Sequence, residues 1–242
     1  MRKGIDWKTY LKGFGKGAFK AAVVSYLFYR NIWFSLVTSV GCGILSLFLE
    51  KKEYQKKQHD EITLQFREGL YGIAAALGAG YAMENAIEEA RKDLVLLYGE
   101  GSLLAEEFSQ MQQKLELNQP LEKVYLEFAE RWKTEDITHF VQVFQTAKRT
   151  GGDLIAITRM TAEKIGEKLE VKREIQTMVA GKKMEGKIMN MIPLGIILYF
   201  WLSSPEFLDC LYQPSGRVVM TVLLFVYLFA YWWSGKISDI QV

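Results

Sequence analysis

The chain has 242 residues, half of them hydrophobic and 13% aromatic, with only four prolines, a composition that excludes a disordered polypeptide. Thirty basic against 28 acidic residues leave a net charge of +2, too weak a field to indicate nucleic acid as a partner. Two cysteines and two histidines, with no C-x-x-C or H-E-x-x-H spacing, argue against a disulfide framework and a zinc site, so no metal and no cofactor is expected.

The first fifty residues divide into a basic run and an apolar one. Arg2, Lys3, Lys8, Lys12, Lys16 and Lys20 face a single acid, Asp6, and the short apolar stretch AAVVSYLFY follows at 21–29. Asn31 to Leu49 is then uncharged, long enough as a helix for about 28 Å, close to the hydrocarbon thickness of a bilayer. Two readings are open here. Residues 14–29 and 32–49 form a transmembrane hairpin turning at Arg30-Asn31, or the lysine-striped segment lies flat on the membrane and one span follows. Lys51, Lys52, Lys56 and Lys57 flank the apolar run, which puts the following residues in the cytoplasm. The basic N-terminus prefers the same side, and two flanks on one side need an even number of crossings, which favours the hairpin.

Residues 51–187 carry 21 Lys/Arg and 23 Asp/Glu and one proline, Pro120. Apolar residues recur at helical spacing: Phe66, Leu70, Ile73 and Leu77; Met83, Ala86, Ile87, Ala90, Leu94 and Leu97. The pattern continues in Leu103, Leu104, Phe108, Met111 and Leu115; Leu121, Val124, Tyr125 and Phe128; and Phe140, Val143, Phe144 and Ala147. Gly78 and Gly80, the Gly99-Glu100-Gly101 turn with Ser102 as N-cap, Asn118 to Pro120, and Gly151-Gly152 punctuate these stripes, with Asp153 as the next N-cap. A sixth helical segment runs from Asp153 through Lys187 without a proline. The expected fold is therefore all-α, an antiparallel six-helix bundle facing the cytoplasm, flanked by transmembrane helices.

Two further uncharged segments, 188–205 and 218–235, are read as spans, with Trp201, Tyr231, Trp232 and Trp233 near their ends as interfacial anchors. Pro193 inside the first either kinks the helix or is tolerated near the membrane boundary. The connecting segment around Cys210 is placed outside, and Lys236 returns the tail to the cytoplasm. The organisation expected is 1–50 as basic N-terminus and hairpin, 51–187 as the helical domain, 188–235 as a second hairpin and 236–242 as a tail.

Chemistry finds no foothold in these residues. No G-x-S-x-G elbow and no G-x-x-x-x-G-K-[ST] phosphate loop occurs, so an enzyme is not expected. His139 reads as a packed or exposed helix residue and His59 as exposed. Glu61, Glu68, Glu84, Glu88 and Glu89 read as a solvated surface. The spans at 31–49, 188–205 and 218–235 contain no ionisable side chain that would mark a transport path, which disfavours a transporter or channel subunit. A membrane-anchored regulatory adaptor is the other alternative. The basic residues Lys148, Arg149 and Arg159 flank the glycine break and suit an acidic partner surface.

The order of parts resembles the type II secretion system F-domain family, in particular its single-domain members in the tight-adherence (Tad) pilus branch. The resemblance lies in LQFREGLYGIAAALGAGYAMENAIEEA at 64–90, with Leu77, Gly80 and Ala86, and in LNQPLEKVYLEFAERW at 117–132, with Arg131. It continues in AKRTGGDL at 147–154, MIPLGIIL at 191–198 with Pro193, and GKISDI at 235–240. It implies a multi-pass platform protein of the bacterial inner membrane, without chemistry of its own. The implied partners are a hexameric secretion ATPase, a paralogous F-domain protein or a second copy of the chain, prepilins and the lipid bilayer.

Overall fold

The computed structural model describes residues 32–204 and 214–238, with Gly15, Ala18, Ala22, Val24 and Ser25. The lysine run of the N-terminus, the expected turn at Arg30-Asn31 and the segment holding Cys210 lie outside the described residues. Among the described residues there are helices and no strand: α1 (Ile32–Gly78), α2 (Met83–Tyr98), α3 (Leu103–Glu116), α4 (Leu121–Trp132), α5 (Glu135–Thr150), α6 (Leu154–Ser203) and α7 (Pro214–Ser238). They divide into two compact units. One comprises residues 55–173; the other comprises the remainder on either side, and α1 and α6 each contribute to both.

The 55–173 unit has one hydrophobic core, to which six helical segments contribute. From α1 come Ile62, Phe66, Leu70 and Ile73, and from α2 Met83, Ala86, Ile87, Ala90 and Leu94, all buried at the i, i+3, i+4 spacing of one helical face. Rings dominate the centre. Phe66 sits 5.5 Å from Phe140 and 5.9 Å from Phe128, while Tyr125 lies 4.8 Å from Phe144. Such pairs add to the area that large side chains remove from water. Tyr125 is fully buried, its hydroxyl donating to Met83 Sδ at 3.8 Å, and burial pushes its phenol above the ordinary tyrosine range. Tyr71 and Tyr81 remain exposed. Two members of the apolar stripes depart from expectation, since Leu97 and Val143 are also exposed. Leu97 falls in the last turn of α2.

Local chemistry ends each helix. Gly99, at φ 79°, closes α2, and its N–H donates to the Val95 carbonyl at 2.8 Å. Ser102 caps α3 by accepting from the Ala105 N–H at 3.1 Å. Pro120 occupies the N-cap position of α4, where its missing N–H costs nothing. Asn118 and Lys133 take left-handed conformations at φ 57° and 51°, so two helices end without the glycine that would announce it.

In the other unit, α7 and the 188–203 part of α6 form long apolar surfaces. Both helices are long and apolar enough to cross a membrane, and almost none of the apolar stretch is buried within the protein. Ile188, Ile192, Tyr199, Leu202, Val222, Phe225 and Phe229 are all more than half exposed, an apolar area that water does not tolerate at this scale. Pro193 lies inside α6, which continues on both sides of it. Tyr227 donates its hydroxyl to the Asn190 carbonyl at 3.0 Å. That acceptor lies three residues before Pro193, in the turn where the proline ring crowds the helix and removes an N–H.

Candidate functional site

The residues singled out by sequence fall into three places. Lys148, Arg149, Gly151, Gly152 and Asp153 form the break between α5 and α6, with Arg159 on the second turn of α6. Arg131 joins α4 to α3, and Gly80 lies beyond the end of α1. Pro193 belongs to the apolar half of α6.

At the break, Gly151 is left-handed at φ 72°, and the Gly152 N–H donates back to the Ala147 carbonyl at 2.8 Å. This six-to-one bond satisfies a carbonyl at the end of α5 and reverses the chain. Asp153 Oδ1 then accepts from the Ile155 and Ala156 N–H groups at 2.9 and 3.0 Å, capping α6. Open space surrounds Gly151, whereas a Cβ on Gly152 would stand 3.3 Å from the Ala147 Cβ. Conformation fixes the first glycine and close approach the second. Gly151→Ala is therefore expected to cost about 1 kcal/mol in thermal unfolding. Gly151→Asn, which adopts the left-handed region more readily, should recover most of it.

Charges near the break are not equivalent. Lys148 Nζ lies 2.9 Å from Glu122 Oε1, tying α5 to α4, and this partner holds the Glu122 carboxyl below the usual carboxylate range. Arg149 and Arg159 are exposed. Gly80 also has a positive φ, 89°, in open space, with its N–H on the Leu77 carbonyl at 3.0 Å, as a helix end requires.

Arg131 has a structural position that its sequence context only hinted at. Its Nη1 donates to Gln110 Oε1 at 2.7 Å, and its Nη2 lies 3.0 Å from Glu107 Oε2. Glu107 is a buried carboxylate, and that oxygen meets Arg131 as an ion pair without an aligned hydrogen bond. Further ion pairs join helices elsewhere: Lys114 with Glu127, Lys168 with Asp136 at 2.9 Å, and Lys172 with Asp60 at 2.6 Å. Asp136 lies in the first turn of α5, where the helix dipole also favours an acid, and it raises the Lys168 ammonium above its ordinary value.

Several anchoring residues escaped sequence reasoning. Buried Gln65 accepts through Oε1 from Ser102 Oγ at 3.1 Å and from the Leu104 N–H at 2.9 Å, fastening α1 to the start of α3. Gly69 and Gly72 lie within α1, where an added Cβ would come within 2.7 Å of Leu104 and 3.0 Å of Ala90 respectively. Two glycines three residues apart inside an otherwise strong helix were the available signal. His59, expected at the surface, is half-buried: Nδ1 pairs with Thr134 Oγ1 at 3.2 Å, and the ring stands edge-on to Trp132. That pairing occupies the hydroxyl that would otherwise cap α5.

Of the glutamates read as a solvated surface, Glu68 pairs with Arg67, Glu88 with Arg91 and Glu89 with Lys92. Among the described residues no group of three His, Cys, Asp or Glu is arranged to hold a metal. A shallow groove of about 580 Å³ lies between α1 and α6, lined by Arg67, Tyr71, Glu163, Gly166, Glu167 and Glu170 among others. Its charges are mixed, and a Cβ on Gly166 would stand 3.5 Å from Arg67 Cδ. The arrangement positions helices and presents charged faces.

Comparison with curated proteins and with solved structures gives no match. Residues 71–202 do match one family, described as type II secretion system (T2SS), protein F, over a stretch that begins in α1 and ends in the apolar part of α6. That match spans more than half of the chain, and the protein belongs to the type II secretion system protein F family.

Proposed function

We propose that this chain is an inner-membrane platform protein of a Tad-type pilus assembly or type II secretion machine. It couples a cytoplasmic hexameric ATPase to the lifting of pilin subunits from the bilayer. Family membership over residues 71–202 carries the reading, since proteins of this family are non-enzymatic platforms and the match takes in both helical domain and apolar helix. The 55–173 unit is the F domain, an antiparallel six-helix bundle in the cytoplasm that associates with a paralogous domain or a second copy. The apolar parts of α1, α6 and α7 cross the membrane. Ser39 Oγ donates to the Ala18 carbonyl at 2.9 Å, a contact that supports the N-terminal hairpin. Helix α6 holds the Asp153 cap and the apolar stretch in a single element, as a device that transmits movement requires.

Co-purification with the secretion ATPase of the same cell tests this role. Arg149→Glu with Arg159→Glu is expected to weaken that association roughly tenfold, with a loss that grows at low salt, since exposed charges are screened over about 8 Å at physiological ionic strength. Unchanged binding removes this face from the interface. Failure of the unaltered chain to bind the ATPase, together with nucleotide hydrolysis by the chain alone, overturns the platform reading.

A further inference from the structure

We infer that the α6–α7 pair carries a binding site for an anionic phospholipid, its phosphate held by Lys183 and Lys187. The inference rests on the membrane reading above and adds to it a lipid class and a place. Lys183, Gly186, Lys187 and Asn190 follow i, i+3, i+4, i+7 spacing and share one face of α6. That face meets α7. A Cβ on Gly186 would stand 3.5 Å from Ser234 Oγ, and the Asn190 carbonyl accepts from Tyr227. The two lysines therefore sit on the rim of a close helix pair.

Both lysines are exposed, and neither enters an ion pair among the described residues. The acid nearest in sequence, Glu185, projects from the opposite side of the helix and is taken by Lys182 at 2.9 Å. An adjoining stripe, displaced by one residue, is apolar and open: Met184, Ile188 and Met191 are 65%, 54% and 71% exposed. Two ammonium groups beside a continuous apolar track match the two halves of a phospholipid, phosphate on the lysines and acyl chain along the methionines. A soluble acidic protein would satisfy the lysines and leave the track in water.

The test uses the purified full chain, mixed with vesicles of phosphatidylcholine alone or with an equal part of phosphatidylglycerol. After flotation, native mass spectrometry reads which lipid stays bound. Phosphatidylglycerol is expected to be retained in preference to phosphatidylcholine of the same chain length. Lys183→Gln with Lys187→Gln should lose that preference by about fivefold per lysine, whereas Lys182→Gln should retain it. Helicity measured on each variant verifies folding. A chain that floats but retains both lipids equally, or a double variant with undiminished preference, overturns the site alone. A chain that floats with neither vesicle overturns the membrane reading and the site with it.

Discussion

Gly72→Val is expected to lower the stability of the 55–173 unit by about 2–3 kcal/mol, and its melting temperature by about 10 °C. The Cβ of any larger residue would lie 3.0 Å from the Ala90 Cβ and 3.1 Å from the Ala90 Cα. The second of these atoms is backbone, so relief requires α1 and α2 to separate. Buried Ile87, Ala90 and Leu94 on α2 and Leu70 and Ile73 on α1 would then lose their packing. Gly69 is a softer case, because its nearest neighbour is the Leu104 side chain, which has rotamers to choose from. Circular dichroism melts of the full chain in detergent check the difference. Gly69→Ala is expected to cost less than Gly72→Ala; equal losses would place the close contact elsewhere.

Removal of Arg131 is expected to be nearly as severe, with Arg131→Ala costing about 2–3 kcal/mol. The guanidinium itself is partly exposed, and as a surface group it would be worth little. Its partner decides the matter. Glu107 is buried in the core-facing side of α3, and without Arg131 its carboxylate loses the cation 3.0 Å away. Burying a lone charge costs more than the pair contributes. Glu107→Gln in the same background should therefore restore stability, although Arg131→Ala alone lowers it. Urea unfolding of the two single variants and the double variant measures the coupling. An Arg131→Ala chain as stable as the original would show that Glu107 finds another partner.

Five amphipathic helix faces in the 55–173 unit were legible as sequence, that of Phe66 to Ile73 in α1 among them. The stripes of Met83 to Leu94, Leu104 to Met111, Leu121 to Phe128 and Phe140 to Ala147 each mark a buried face, since one periodicity serves both helix and core. Ser102, Gly151 and Asp153 were equally readable, because caps join residues two to five apart. The apolar stretches of α6 and α7 and the family itself were also legible, as composition and motif. Tertiary structure decided the rest. Gln65 anchoring Ser102, Gly72 against Ala90, and Arg131 on Glu107 join residues 18 to 37 positions apart. His59 moved from expected surface to half-buried partner of Thr134 across 75 positions. Whether Leu97 or Val143 is covered depends on which neighbouring helix passes over it, and Lys148 ceased to be a free charge only because α4 brings Glu122 alongside. Local spacing specifies a helix and the face it must bury, whereas the identity of the residues that meet across helices depends on where each helix axis comes to rest.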